Sequence, residues 1–432
     1  MYNINKYIRA TQYLNNQGKN WRLYNSQDGN LYYINSALYD IIRYINRHKI
    51  ESAFDLSTLL CRYFSNNDEV VSLQQFLVSN NIISEDKNKI TNQNVLPPFK
   101  FKYPLSNLMF VVTNACNLKC IHCYGDYGNM NAYEIYSIDY NKIEKLLPDI
   151  NTLHTSSVSF TGGEFFLYKD YQRIFELFIL NGFEVTIFTN GFLTDKMASF
   201  FEKNKDFVYK LKISLDGDKA KHNLIRQKGN SYQNTMKTIY AAEKYEKIDV
   251  SIASTALKQN FLTLNKTSKM LNYLFPNIQH TIDVGFDAAG CKKNIFFDID
   301  ELDILYSKLP SVLKKRNMVK NKYRCEGGRS LACIDSNMDF KICVIANHKD
   351  FIFGNLNNNE LVQLWNSPKK TIRKFRKEKS VSTNKCKLCK LNKLCTTKDC
   401  RVLAYQYTGS YTNPNPITCF VEEKYEKNSA IF

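Results

Sequence analysis

Thirteen cysteines stand in this chain of 432 residues, and most of them stand in groups. Cys116, Cys120 and Cys123 form a C-x3-C-x2-C run, Cys116-Asn117-Leu118-Lys119-Cys120-Ile121-His122-Cys123. Three thiolates on one short loop can bind three irons of a [4Fe–4S] cube and leave the fourth iron open. A zinc site would want a fourth protein ligand, and His122, between two ligating cysteines, is sterically awkward in that role. A second field lies in the tail: Cys325, Cys333 and Cys343, then Cys386-x2-Cys389-x5-Cys395-x4-Cys400, and finally Cys419. Its eight cysteines suffice for two further four-ligand clusters, or equally for a pair of structural zinc sites. Cys61, in the helical run Leu59-Leu60-Cys61-Arg62-Tyr63-Phe64, reads as a buried small hydrophobe, and Cys291 as structural.

Several glycine-bearing turns follow the first cysteine run: Thr161-Gly162-Gly163-Glu164, Thr189-Asn190-Gly191 and Ser214-Leu215-Asp216-Gly217, with Arg226 beyond them. Glycine lets a backbone approach a ligand closely, and a carboxylate suits an ammonium partner. The elements that must position these turns alternate. Leu108–Val112, Val158–Phe160, Glu184–Phe188, Lys210–Leu215 and Ile248–Ala253 read as strands, with helices expected at Ile143–Leu147 and Tyr171–Leu180. Such alternation predicts an α/β fold of parallel βαβ units, whose ligands gather at the C-terminal ends of the strands. Every motif above falls just after one of these strands.

On these motifs the chain resembles the radical S-adenosylmethionine (SAM) superfamily. The resemblance implies a partial (β/α)6 barrel over residues 104–300. It also implies that Cys116, Cys120 and Cys123 hold the cluster that cleaves SAM, yielding a 5′-deoxyadenosyl radical that abstracts hydrogen from a substrate carbon. By the same resemblance Gly162, Gly163 and Glu164 face the amino group of SAM, and Asn190 lies in the family's TNG turn. Ser214 would face its ribose and carboxylate, Arg226 its carboxylate, and His122 its adenine. The tail from residue 321 to 432 resembles the SPASM extension, which carries two auxiliary [4Fe–4S] clusters. One would take Cys325, Cys333, Cys343 and Cys400; the other Cys386, Cys389, Cys395 and Cys419. Two departures from the family pattern are visible. Met338 stands where a glycine is usual, and four residues rather than three separate Cys395 from Cys400.

Residues 1–95 read as a separate module. Trp21–Tyr24 and Leu31–Ile34 flank the turn signal Asp28-Gly29 and predict a hairpin; a helix capped by Ser36 and two more, near Leu56–Phe64 and Val70–Val78, follow. Hairpin plus three helices is winged-helix-like, and Asn94–Lys102, with Pro97-Pro98, reads as a linker. Among SPASM enzymes such a module resembles a RiPP recognition element, which grips the leader of a ribosomally made peptide by strand addition. The alternative is a DNA-binding winged helix, which the Val70–Val78 helix does not support because it lacks a cluster of basic residues.

The resulting expectation is a cytoplasmic peptide maturase that installs thioether cross-links in a precursor peptide. Its reductant would be a low-potential donor such as flavodoxin or ferredoxin. Carbon–carbon cross-linking, epimerisation or formylglycine formation are alternatives, and a zinc-dependent DNA-binding regulator is another. Val344, directly after Cys343, stands where formylglycine-forming relatives have an aspartate base, which counts against that activity. No apolar run reaches the length of a membrane span, and the start is not that of a signal peptide. The formal charge of +18 suits solvated faces and leaves an acidic peptide partner in view.

Overall fold

The computed structural model describes residues 1–15, 18–86, 91–285, 293–298, 301–309, 325–377, 388, 400–416 and 419–420. Strands β1 (Tyr2–Ile4) and β5 (Ile83–Glu85) pair antiparallel and tie the two ends of the first module together. Between them, β2 (Ile8–Asn15), β3 (Gly18–Asn25) and β4 (Leu31–Ile34) form an antiparallel sheet in that order. The expected hairpin is β3–β4, its turn holding Gly29 at φ 75°. Helix α1 (Ser36–Arg47) is capped one residue earlier than the sequence suggested, because Asn35 accepts the backbone N–H of Leu38. A Ser52/Asp55 capping box starts α2 (Ala53–Leu60), and α3 (Asn67–Ser79) completes the winged-helix-like set. Because α2 ends at Leu60, Cys61 points outward and is exposed, not the buried hydrophobe expected.

The segment read as a linker is no linker. Val95, Leu96 and Phe99 are buried, and residues 94–96 run beside β2, where Ala10 N–H donates to Asn94 and Leu96 N–H to Ala10. Proline here stiffens a strap whose apolar side chains fill the joint between module and barrel.

Arg9, on β2, is the centre of that joint. It is 1% exposed and has no carboxylate partner among the described residues. Its guanidinium donates to the Thr155 carbonyl through Nε (2.9 Å) and Nη2 (2.7 Å), and to Asn151 Oδ1 at 2.8 Å. It also reaches the Asn181 carbonyl and lies 3.6 Å from the centre of the Phe183 ring. Thr155 and Asn181 lie just beyond α4 (Tyr140–Thr152) and α5 (Tyr171–Ile179), so one cation serves the negative ends of two barrel helices.

The barrel is six parallel strands: β6 (Asn107–Val111), β7 (Ser157–Thr161), β8 (Glu184–Thr189), β9 (Tyr209–Ser214), β10 (Ile248–Ala256) and β11 (Gln279–Val284). Helices α6 (Thr194–Lys203), α7 (Lys219–Arg226), α8 (Ser231–Glu243), α9 (Phe261–Leu274) and α10 (Leu302–Lys308) follow along the chain. Leu108, Phe110, Val158, Phe160, Val185, Ile187, Leu211 and Ile213 alternate onto one face and join the main apolar core. The opposite face carries Ser159, Thr161, Thr186, Lys212 and Ser214, all only half-buried. A polar, incompletely filled inner face is what a ligand channel needs, in contrast to a packed closed barrel.

The tail joins the same sheet. Strand β12 (Leu331–Ile334) runs parallel to β6, and β13 (Asp339–Lys341) and β14 (Ile352–Asn355) extend it antiparallel to nine strands. Met338, in the β12–β13 turn, sits at φ 67°, the left-handed conformation in which glycine is at ease. Its side chain is buried in the main core, so apolar burial offsets the backbone strain there. Helices α11 (Leu361–Asn366), α12 (Lys370–Lys377) and α13 (Arg401–Thr408) close the described structure.

Candidate functional site

All the motif turns gather at the C-terminal ends of β6 to β9. Beyond β6 the cysteine loop runs against the turn beyond β7. Gly163 N–H donates to the Thr113 carbonyl and Glu164 N–H to that of Ala115, each at 2.9 Å. A Cβ on Gly162 would stand 2.3 Å from Thr113 O, and one on Gly163 2.2 Å from Ala115 O, so both must be glycine for this contact.

The Glu164 carboxylate is fully buried and turned inward. It accepts the Thr189 hydroxyl at 2.8 Å, the Asn190 N–H at 2.8 Å and the Phe166 N–H at 3.2 Å. These bonds tie the β7 turn to the β8 turn. Burial pushes its pKa up, with these hydrogen bonds working against the rise. Asn190 in turn donates to Asn117 Oδ1 at 2.9 Å, joining the β8 turn to the cysteine loop.

Arg226, at the end of α7, is brought to the cysteine loop. Its Nη1 lies 3.6 Å from the Cys120 sulfur and its Nη2 2.6 Å from Asp216 Oδ2. Asp216, which sequence reasoning quoted only as part of a motif, is the hub of this corner. It is wholly buried, accepts the Thr255 N–H at 2.9 Å and faces His122 Nε2 at 3.9 Å. Burial alone would raise its pKa; the Arg226 cation first, helped by the Thr255 N–H, outweighs it and holds the carboxyl below its usual range. His222 accepts the Asp216 N–H on Nδ1 at 3.0 Å, so Nε2 carries the proton and donates to Ser231 Oγ at 2.9 Å. Burial depresses His222 to about 3, which keeps this ring neutral. Ser214 lies at the end of β9, half-buried on the channel face.

The donor set suits an iron–sulfur cluster. Burial lifts the Cys116 thiol to about 12, against a backbone N–H from Leu118, and raises Cys120 against the adjacent Arg226 cation. Shielded sulfurs met by N–H groups and a cation are the surroundings that tune such clusters. No three His, Cys, Asp or Glu side chains among the described residues converge on a single metal ion. A cubane asks for something else, since each thiolate takes its own iron.

The tail cysteines repeat the pattern. Cys325 accepts backbone N–H groups from Gly327 and Arg401, Cys343 from Ile345, and Cys333 from Val111. Cys343 is pushed up by burial first and then by Cys325, Cys400 and, least, Cys333. Cys333 is fully buried on β12, beside β6. Cys291, Cys386, Cys389 and Cys395 lie outside the described residues, and of the second expected set only Cys419 is described.

Residues 110–270 match the Radical SAM superfamily, and residues 325–390 match the SPASM iron–sulfur cluster-binding domain. The chain is 24% identical over 283 residues to the antilisterial bacteriocin subtilosin biosynthesis protein AlbA of Bacillus subtilis. That alignment takes in 62% of this chain and 61% of AlbA, so the chain spans about six-tenths of that relative. The fold is similar to Streptococcus suis SuiB bound to its precursor peptide SuiA (TM-score 0.64, 18% identity), covering 97% of this chain and 100% of SuiB. It is also similar to anSMEcpe with bound AdoMet and the Cp18Cys peptide (TM-score 0.57, 18% identity), covering 75% of this chain and 97% of that one.

Proposed function

Since this chain carries a radical SAM domain over residues 110–270 and a SPASM domain over 325–390, we propose that it installs thioether cross-links in a ribosomally made precursor peptide. SAM and its [4Fe–4S] cluster would supply hydrogen-atom abstraction when bound, and auxiliary clusters would offer an outlet for the electron that cross-linking leaves over. Cys116, Cys120 and Cys123 would hold the first cluster; Cys325, Cys333, Cys343 and Cys400 one auxiliary cluster; Cys386, Cys389, Cys395 and Cys419 the other. Arg226 offers a cation beside Cys120, and Asp216 fixes its orientation. Gly162 and Gly163 hold the β7 turn against the cysteine loop, and Ser214 lines the channel. An outside one-electron donor, of the flavodoxin or ferredoxin kind, would reduce the first cluster. AlbA's part in making the bacteriocin subtilosin and SuiB's bound precursor peptide support a peptide substrate.

The observation that carries this reading is the open edge of the first module. β4 pairs only with β3, leaving its other side free among the described residues. Asn25 N–H donates to the Asn30 carbonyl, so alternation along the ladder turns the backbone groups of Leu31 and Tyr33 outward. Tyr33 is 67% exposed, and Val71 and Val78 on α3 are exposed nearby in the same module. An unpaired strand edge with exposed apolar side chains is a template for an added peptide strand. DNA is a poor fit: α3 begins with Asp68 and Glu69 and contains no Lys or Arg.

Tyr33→Pro removes one outward N–H without touching the β3 ladder. It should weaken binding of a cysteine-containing precursor encoded beside the gene at least tenfold. Peptide-independent formation of 5′-deoxyadenosine should stay within twofold. Unchanged peptide affinity in a folded Tyr33→Pro protein would remove the recognition role.

A further inference from the structure

A recess of about 230 Å³ opens behind the tail, between residues 101–103 and helices α11 and α12. Lys102, Arg373 and Lys377 stand on its rim, Phe101 and Tyr103 form one wall, and Arg376 and Asn366 lie against it. No Asp or Glu lines it, and none of these cations makes an ion pair among the described residues.

Arg376 is the unusual member. It is 4% exposed, its Nε donates to Gly328 O and its Nη1 to Trp365 O, and its guanidinium stacks 4.2 Å from the Trp365 ring. Nη2 is buried with no hydrogen-bond partner, and so is the amide nitrogen of Asn366. A guanidinium buried without an anion is costly, and its forked donors match a carboxylate or phosphate. Burial pulls its pKa down to about 9, which still leaves it charged at neutral pH.

We infer that this recess is an oxyanion pocket, seating a carboxylate or phosphate group against Arg376 and Asn366 inside a ring of Lys102, Arg373 and Lys377. The anion would offset part of the charge of four cations that no acidic side chain on the recess balances, with Arg376 and Asn366 in its lining. The pocket is coupled to the auxiliary-cluster loop, because Arg376 holds Gly328 while Arg329 links the carbonyls of Phe375 and Cys325. Nothing in this inference depends on which peptide is modified.

Trp365 is one of only two tryptophans, so Trp21→Phe leaves it as the sole indole reporter beside Arg376. In the cluster-loaded Trp21→Phe protein, inorganic phosphate at constant ionic strength should change Trp365 emission saturably, half-complete at roughly millimolar concentration. It should also raise the thermal midpoint of the unmodified chain. Adding Arg373→Ala and Lys377→Ala, both on the exposed rim, should weaken the response at least tenfold. Acetate responding as strongly as phosphate would assign the natural group to a carboxylate, and phosphate alone to a phosphate ester; either supports the pocket. Chloride giving the same change, or rim variants binding within twofold of the parent, would overturn it.

Discussion

Cys116→Ala, Cys120→Ala and Cys123→Ala, singly or together, should reduce anaerobic 5′-deoxyadenosine formation to background. A loss of more than about a thousandfold is expected, because removing one member of a unit that acts as a whole abolishes the step. The iron content should fall in parallel by one cluster, leaving the tail clusters in place. The physical ground is that this loop combines three sulfurs, the Arg226 cation at Cys120 and the glycine turn packed on its backbone. Retained cleavage with a lowered iron count would place SAM chemistry elsewhere. Loss of all iron would mean instead that the triple variant fails to fold, and the single variants then decide.

Arg9→Met should produce the second largest effect, on stability instead of chemistry. The substitution strips the Thr155 carbonyl of two donors, leaves Asn151 and Asn181 short of partners and takes the cation from beneath Phe183. Buried groups left unsatisfied cost about 1–3 kcal/mol each, so a loss of about 3–5 kcal/mol is expected. Thermal unfolding at fixed scan rate should show a midpoint several degrees lower. Arg9→Lys should recover little, since a point charge cannot copy the fork that reaches two helix ends. A loss below about 1 kcal/mol in Arg9→Met would show that the apolar strap at residues 94–99 carries the joint without it.

These two residues also mark where the sequence speaks and where it is silent. The cysteine run announces itself, because three sulfurs at that spacing after a strand have few structural explanations. β6 to β10 were legible for a similar reason: alternating apolar residues bury one face of each strand. The sixth strand, Gln279–Val284, was not, since its polar residues are half-buried or exposed at the sheet edge. Arg9 is one of 59 basic residues, and its burial is fixed by helix ends more than a hundred positions away. No local pattern reveals that. Pro97-Pro98 suggested a free linker because proline ends regular structure, yet apolar neighbours still bury when a surface is offered. Asp216 was visible as a motif letter, but its role as hub requires Arg226 and His122 to be brought to it in space. At Met338, where a glycine is usual, the backbone takes the left-handed conformation and core burial of the side chain compensates it.

The most direct test of the account is the mass of a product. Cluster-loaded enzyme, SAM, a low-potential reductant and the cysteine-containing precursor encoded beside the gene should be incubated without oxygen. The product is then analysed by tandem mass spectrometry. A thioether joins sulfur to carbon with loss of the thiol hydrogen and one carbon-bound hydrogen. The account therefore predicts a peptide lighter by two hydrogens per bond, with one cysteine per bond protected from alkylation. An unchanged mass with inverted stereocentres, or a mass loss with every cysteine still alkylated, would contradict thioether formation.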